Sequence, residues 1–298
     1  MGNFSGEQVL DFHERFKTDL DCMKYLADLK WSNGFSCVKC KHDKATVRPN
    51  YSRCCTRCKH VESAGSGTLF HKVKFGLLKA FIIVFEMSAT TKGLSSSQMG
   101  RRLGIKRQTA WFFMQKVRAG MKSKKKSPMK GKVVVDEFVS GGKEKDNPGR
   151  SYDTKKKKVV CAVELTEDGK VKRMYAKRIK DFSAKSLKMI FDDHIAKDAE
   201  VVTDEWKSYA VLAKEFKIEQ IPSMNGRNFK QIHTMIHQVK SWVRTTYSWV
   251  HPEHMDKYLD EFCFRLNRSI FKESIFHNLI TRMMESQPRF YKSIIVSS

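Results

Sequence analysis

The sequence predicts a mixed α/β domain that follows a small cysteine-containing module and a helical region. Three observations predict this organisation. Two CxxC pairs lie within residues 31–66, and residues 74–121 carry apolar side chains at helical spacing. From residue 132 onwards the pattern changes to β-branched apolar runs alternating with helical segments. The predicted order there is three strands, a helix, a strand, a helix, a strand and a helix.

The charge of the chain favours a polyanionic partner. Its 298 residues include 57 Lys and Arg against 32 Asp and Glu, a net charge of +25. Such a surplus favours nucleic acid, because bound phosphates release their counterions. No apolar run reaches the roughly 18 residues of a membrane span, and no signal-peptide pattern is visible at the start. We therefore expect no membrane partner and a cytoplasmic, nucleoid-associated location.

The first element with a chemical signature is a pair of cysteine knuckles. Cys37 and Cys40 form one CxxC, Cys55 and Cys58 form the second, and fourteen residues separate them. This spacing allows a short β-hairpin to gather four thiolates around one tetrahedral Zn²⁺. Cys54 is an alternative to Cys55, but only Cys55 repeats the spacing of the first knuckle. We expect a structural zinc ribbon rather than a catalytic metal site.

Three predicted helices follow the ribbon. Ser95 to Ser97 offer an N-cap for the second helix, Gly104 follows its end, and the third begins after a short turn. This arrangement is typical of a helix-turn-helix, in which the first side chains of the last helix reach base edges. An ordinary three-helix bundle with a basic surface is the alternative. The residues expected to contact DNA are Lys106, Arg107, Gln108 and Thr109.

A lysine-rich segment separates the helices from the α/β part. "KSKKKSPMKGK" contains no acidic residue and includes Pro128 and Gly131, as expected of a linker. Runs of this kind are usually solvated tethers, but they can also contact phosphates. The residues expected to do so are Lys124, Lys125 and Lys126.

The α/β part has an RNase H-like order of elements and supplies two candidate acids. "VVVD" and "VVTD" place Asp136 and Asp204 at the ends of apolar runs, where a carboxylate loses solvation unless it is paired or binds a cation. On neighbouring strands they could hold Mg²⁺ or Mn²⁺ for phosphoryl transfer. Glu137 and Glu205 follow directly, but alternation directs them to the opposite side. A strand-end capping role is the alternative for each aspartate.

The last predicted helix of this part contains no acidic residue. No Asp or Glu occurs between Gln220 and His251, and His233, His237 and Lys240 share one helix face. We expect His233 to complete the site, as a metal ligand or as a general base. Lys240 would contact a phosphate. A half-buried histidine and a solvated lysine on an ordinary helix are the alternative.

These motifs in this order resemble bacterial insertion-sequence transposases related to the Merlin superfamily of DNA transposons. The resemblance implies an RNase H-like, DDE-type domain whose catalytic positions fall on Asp136, Asp204 and His233. The third position is Glu in many relatives, and a basic residue follows it at Lys240. The resemblance extends from about residue 30 to 270 and rests on the CxxC…CxxC ribbon, "GTLFHKVKFGLLKAF", "TTKGLSSSQMGRRLGIKRQTAWFFMQKVR", "VVVDEFVSGGKE", "VVTDEWKSY", "HTMIHQVKSWVRTTY" and "YLDEFCFRLNRS".

The activity that this resemblance implies is metal-dependent transposition. Such an enzyme binds terminal inverted repeats, cuts at the element ends and joins the 3′-OH to target DNA. It implies double-stranded DNA partners, Mg²⁺ or Mn²⁺ at the catalytic site, a structural Zn²⁺, and a homo-oligomer that pairs two ends. Two other functions stay open: a non-catalytic zinc-ribbon DNA-binding regulator, and a metal-dependent nuclease without strand transfer.

The expected organisation of the chain follows from these elements. The six segments are an N-terminal helical segment (1–30), the zinc ribbon (31–66), the helix-turn-helix region (67–121), the basic linker (122–131), the RNase H-like catalytic domain (132–270) and a C-terminal helical tail (271–298).

Overall fold

The protein, described by a computed structural model at residues 4, 8–89, 92–142, 156–269 and 274–295, forms two compact units. The first comprises Met1–Met121 and Ile270–Ser298, and the second comprises Lys122–Ser269. The expected boundary between residues 270 and 271 lies outside the described residues. Within those residues, every helix is too short or too polar to cross a bilayer.

The first unit is helical, with a small antiparallel sheet near its start. Its last helix comes from the end of the chain and packs against three of the earlier helices, so the C-terminal tail completes the core of this unit. The elements are α1 (Val9–Arg15), α2 (Asp19–Lys30), β1 (Ala45–Val47), β2 (Arg53–Cys55), β3 (Val61–Glu62), α3 (Leu77–Ala89), α4 (Ser96–Leu103), α5 (Arg107–Met121) and, after four helices of the second unit, α10 (Ile275–Glu285).

Local capping explains where the helices of the first unit begin and end. The hydroxyl of Ser95 accepts from the N–H of Gln98 at the start of α4. Gly104 ends the same helix in the left-handed conformation, with φ of 59°. Of the three candidate serines, Ser95 is therefore the N-cap, and Gly104 follows the end of the helix as predicted. Phenylalanine rings fill the core beneath these helices, in edge-on and tilted pairs that involve Phe12, Phe16, Phe81, Phe85 and Phe276.

The second unit is a five-stranded sheet with helices on both faces. The strand order is β6-β5-β4-β7-β8, with β5 antiparallel to its two neighbours and β4, β7 and β8 parallel. This is the RNase H-like arrangement, and the predicted fold class is confirmed. The elements are β4 (Lys132–Ser140), β5 (Lys157–Leu165), β6 (Val171–Ile179), α6 (Ala184–His194), β7 (Glu200–Thr203), α7 (Lys207–Leu212), β8 (Lys217–Gln220), α8 (Lys230–Thr246) and α9 (Met255–Leu266).

Alternation along β4 determines which helices its side chains meet. Val135 belongs to the core that packs beneath α6 and α7. Val134 and Phe138 belong to the core beneath α8 and α9 on the other face. Because successive side chains of a strand point to opposite faces, Asp136 points toward α8 and Glu137 toward α7.

The outer strand β6 is protected at its edge by side chains from the α9 region. The amide of Asn267 accepts from the N–H of Met174 at 2.7 Å and donates to its C=O at 2.9 Å. The carboxylate of Asp256 accepts from the N–H of Arg178 at 2.6 Å. These groups stand where a further strand would pair, so they block unwanted association at this edge.

The end of the predicted basic linker is part of the second unit. Met129 is fully buried, and its N–H donates to the C=O of His194 at 2.6 Å. The guanidinium of Arg173 donates to the C=O groups of Ser127 and Pro128, at 3.0 and 2.7 Å. The chain is therefore fixed to the second unit from about residue 127. The apolar side chain of Met129 packs with residues of the sheet and α6.

Candidate active site

Asp136 lies on β4, and Asp204 directly follows the neighbouring strand β7. β4 and β7 pair in parallel, with Val134 opposite Val202 as the last pair. The two aspartates each follow this pair by two residues, at the same end of the two strands. Asp136 is half-buried, and its Oδ1 accepts from the N–H of Glu137 at 2.8 Å.

The carboxylate of Asp204 also holds the chain as it leaves β7. Its Oδ1 accepts from the N–H of Trp206 at 3.1 Å, which forms an Asx turn. The side-chain amide of Gln220 donates to the C=O groups of Asp204 and Trp206, at 3.1 and 3.2 Å. Asp204 thus has the capping role that is the alternative for a strand-end aspartate, through its Oδ1 atom.

His233, in the first turns of α8, meets Asp136. Its Nε2 lies 3.0 Å from Oδ2 of the aspartate. On the other side of the ring is a tight turn in which Asn225 and Gly226 have φ of 56° and 86°. A Cβ placed on Gly226 would lie 2.6 Å from Nδ1 of the ring. The imidazole is therefore confined between the turn and the carboxylate.

An open cleft of about 720 Å³ lies over this pair. Lys240 stands at its rim, with Nζ 5.2 Å from the centroid of the Phe138 ring. Burial lowers the pKa of Lys240, and the charge of Asp136 opposes that shift. Asp204 does not appear in the cleft wall as far as the chain is described. The lining residues are Asp136, Glu137, Phe138, Val139, Phe182, His233, Ile236, His237 and Lys240.

The side chain of Glu137 is engaged on the opposite face of the sheet. Its carboxylate accepts from the hydroxyl of Tyr209, which is fully buried in α7. Burial and the negative charge of Glu137 raise the pKa of Tyr209. Glu205 is exposed beyond the end of β7. Alternation predicts the direction of Glu137, whereas nothing in the sequence pattern indicated Tyr209 as its partner.

Four cysteine side chains, one from β2 and three from the neighbouring turns, meet beside the small sheet of the first unit. Their sulfur atoms lie within 4.8 Å of one another. The Sγ atoms of Cys37 and Cys58 are 3.6 Å apart, and so are those of Cys40 and Cys55. Thiolates at about 2.3 Å from a tetrahedral Zn²⁺ would be about 3.8 Å apart. The cluster fits a zinc ribbon.

The distance between potential ligand atoms distinguishes the cysteine cluster from the catalytic candidates. Among the described residues, the four cysteines are the one group of three or more potential ligands gathered within 4.8 Å. The structure brings His233 to Asp136, and it aligns Asp204 through the strand register. It does not draw the three ligand atoms of these residues together as tightly as the cysteine sulfurs.

The two cysteine knuckles have the same backbone hydrogen bonds. The N–H of Cys37 donates to the C=O of His42, and the N–H of Cys55 donates to that of His60, both at 2.9 Å. Cys54 lies outside this repeated pattern, and its sulfur is not part of the cluster. The geometry therefore favours Cys55 over Cys54, in agreement with the spacing.

The residues predicted to contact DNA at the start of α5 are at the surface, and one of them is already engaged. Lys106, Arg107 and Gln108 are exposed, and Thr109 is half-buried. The amide of Gln108 donates to the hydroxyl of Tyr291, from the end of the chain. The C-terminal residues thus cover part of this helix face.

The three linker lysines are exposed, and one of them is part of an ion-pair network. Lys124, Lys125 and Lys126 all lie at the surface of the second unit. The ammonium of Lys125 pairs with Asp193, which also pairs with Lys177 at 2.8 Å. Lys125 would have to leave this pair to contact a phosphate.

Comparisons with known proteins give one family match and two remote structural neighbours. Residues 128–267 match the model of the ISXO2-like transposase domain family. A search of curated proteins found no match. Two solved structures show a remote likeness, the "Mos1 Strand Transfer Complex" (11% identity, 69% of this chain and 75% of that chain, TM-score 0.28) and the "Mos1 mariner paired end complex with Mn" (11%, 61% and 75%, 0.22). At these scores the likeness carries no structural argument. The family match covers the sheet, both aspartates and α8, so residues 128–267 are similar to the ISXO2-like transposase domain.

Proposed function

We propose that this protein is a DNA transposase that binds terminal inverted repeats, cleaves at the element ends and joins the 3′-OH to target DNA. The observation that carries the proposal is the contact of His233 with Asp136 at 3.0 Å. This contact lies in an open cleft of a transposase-family domain, one strand from Asp204.

The donor set fits a hard divalent cation, Mg²⁺ or Mn²⁺. Two adjacent ligands of an octahedral ion of this kind, each at about 2.1 Å, are about 3 Å apart. The same distance separates Nε2 of His233 from Oδ2 of Asp136. The residues that would hold the metal are Asp136, Asp204 and His233. A divalent cation bound there activates the attacking oxygen and stabilises the leaving oxygen of phosphoryl transfer.

The side chains around the site position and neutralise the reacting groups. His233 is confined by Gly226, and its Nε2 faces Oδ2 of Asp136. In its neutral form His233 can alternatively accept the proton of the attacking water or 3′-OH. Lys240 supplies positive charge at the rim of the cleft, where it would contact the scissile phosphate or its neighbour.

DNA recognition is assigned to the basic surfaces of both units. The zinc ribbon, the exposed start of α5 and the linker lysines would recognise the terminal inverted repeats. The exposed Lys106 and Arg107 are best placed to reach base edges, because the amide of Gln108 is engaged by Tyr291. A homo-oligomer is proposed because two element ends must be held together.

Cleavage of labelled element ends tests this proposal. Duplexes that carry the inverted repeats flanking the gene are incubated with the full-length protein and Mg²⁺ or Mn²⁺. The proposal predicts strand cuts at the element ends, and at least about a hundredfold slower cutting by Asp136→Asn and Asp204→Asn with DNA affinity retained. Binding without any cut by the wild-type protein would instead identify a regulator.

A further inference from the structure

A second open cleft continues from the candidate active site along α8. Its volume is about 490 Å³, and it shares Val139, His237 and Lys240 with the first cleft. A strand that occupies the first cleft can therefore continue into the second without leaving the surface.

The charged side chains of this cleft are basic. Lys157, Lys240 and Arg244 line it together with His237, and no carboxylate occurs in the lining that the structure describes. Three of the four lie on one face of α8, at spacings of three and four residues. The charged Lys240 and Arg244 on one helix face, with Lys157 opposite and no acid beside them in the described lining, suit the phosphates of a nucleic-acid strand rather than a basic ligand.

Trp249 lines the second cleft, and its side chain is unusually exposed to solvent. Its side chain is 69% exposed, although indoles are mostly well buried in folded proteins. The ammonium of Lys157 lies 5.7 Å from the ring centroid, and the ring of His251 contacts the indole edge-on at 5.4 Å. An indole that is supported by neighbours and still open to solvent can serve as a stacking platform for a base.

We propose that the second cleft holds an unpaired nucleotide of the DNA strand that is processed in the first cleft. Its base stacks on Trp249, and its backbone phosphates lie against Lys240, Arg244 and Lys157. The proposal rests on the proposed function, because it takes DNA as the substrate of the first cleft. The nucleotide is unpaired because only a base outside the helical stack can present its face to an indole.

Binding of two matched DNAs tests this cleft. One is a blunt duplex of the element end, and the other has the same duplex with three unpaired nucleotides on one strand. We expect Trp249→Ala to bind the overhang DNA about tenfold more weakly in fluorescence anisotropy, with little change for the blunt DNA. Trp249→Phe keeps a stacking face and should retain most of the affinity. Met189→Ala, which alters an exposed apolar side chain of α6, is the control.

A fluorescent base analogue reports stacking directly. With 2-aminopurine as the unpaired base, the wild-type protein should quench the fluorescence and Trp249→Ala should not. Equal affinity of wild type and Trp249→Ala for the overhang DNA, or equal losses for both DNAs, would overturn the proposal. An Arg244→Ala variant repeats the test without altering the neighbours of the indole named above, and it should also lose overhang binding.

The outcomes of this test are separable from those of the proposed function. If the wild-type protein cuts element ends while Trp249→Ala binds both DNAs like the wild type, only the assignment of the second cleft fails. If Trp249 is required for overhang binding while the wild-type protein cuts no element end, the second cleft stands and the transposase function fails.

Discussion

The imidazole of His233 lies between the carboxylate of Asp136 and the turn at Gly226. His237, one turn further along α8, lines the same cleft and is exposed. The two histidines thus form a natural pair for comparison, since they share a helix face and differ in their distance from the aspartates.

Replacement of these two histidines tests which one belongs to the site. We expect His233→Ala to slow cleavage of element ends at least about a hundredfold, because it removes a metal ligand or a general base. His237→Ala should cost less than about tenfold. Rates are measured on the same labelled duplex, with folding checked by thermal unfolding. The reverse ranking of the two variants would contradict the assignment.

Gly226 offers a second test at the residue scale. A methyl group at this position would meet the His233 ring at 2.6 Å, and φ of 86° is unfavourable for alanine. We expect Gly226→Ala to slow cleavage about tenfold or more by displacing the ring. Gly169→Ala is the matched control, since its φ is 76° and the nearest atom to its Cβ is 3.9 Å away. Similar cleavage rates for both variants would show that the ring position does not depend on Gly226.

The sequence indicates His233 but not what positions it. The helical spacing of His233 with Lys240 and the lack of acids around them are visible in the primary structure. Gly226 looks like any turn glycine, because its contact with the imidazole depends on the direction in which α8 leaves the turn. The Tyr209 partner of Glu137 is equally hidden, since it comes from a helix on another part of the chain.

At the scale of elements, the ribbon is built from two cysteine knuckles that make the same backbone hydrogen bonds. Burial opposes ionisation of the Cys55 thiol, but the backbone N–H groups of Cys58 and Arg57 outweigh it and bring the pKa of Cys55 to about 7. A thiol with a pKa near neutrality loses its proton readily, which favours the thiolate that a zinc ion requires.

Metal analysis of two neighbouring cysteine variants tests the ribbon. The wild-type protein should contain about one zinc per chain, as a single cluster of four thiolates predicts. Cys55→Ser should lose most of this zinc and unfold at a lower temperature, because metal binding and folding of such a module are coupled. Cys54→Ser should keep both. Loss of zinc from Cys54→Ser and not from Cys55→Ser would reverse the ligand assignment.

The last residue of α6 makes the stability of the second unit depend on pH. The ring of His194 stacks on Tyr175, with centroids 3.9 Å apart, and burial lowers the pKa of His194 to about 4 from 6.5. Between these values the unfolded chain binds a proton that the folded chain does not. The stabilising contribution is therefore complete above about pH 6.5 and is lost as the pH falls toward 4.

A variant that keeps the stack but cannot titrate isolates this effect. His194→Phe should lose less thermal stability than the wild type when the pH is lowered from 7.5 to 5. The measurement is the unfolding temperature at both pH values, in the same buffer and salt. An equal decrease for the two proteins would mean that His194 does not control the acid sensitivity.

The order of strands and helices in the second unit could be predicted, whereas several connections between elements could not. Hydrophobic alternation and helical spacing act over a few residues, so they show up in the sequence. The edge contact of Asn267 with Met174 and the burial of Met129 join segments that are distant in the chain. No local pattern indicated that α10 would pack into the first unit.

At the scale of the whole molecule, the two units divide the proposed work. The first carries the ribbon and the helices that are assigned to DNA recognition, and the second carries the aspartates, His233 and the continuous clefts. The net charge of +25 is consistent with both units contacting DNA. It also means that affinity for DNA should fall steeply as salt is raised, so assays must be compared at one ionic strength.

Strand transfer with pre-cut element ends tests the central claim most directly, since it separates a transposase from a nuclease. Duplex ends with a free 3′-OH are mixed with plasmid target, the full-length protein and Mg²⁺ or Mn²⁺, and the products are sequenced across the junctions. The account predicts covalent joining of the 3′-OH to target DNA by the wild-type protein and none by Asp136→Asn. Cleavage of element ends without any joined product under these conditions would contradict it.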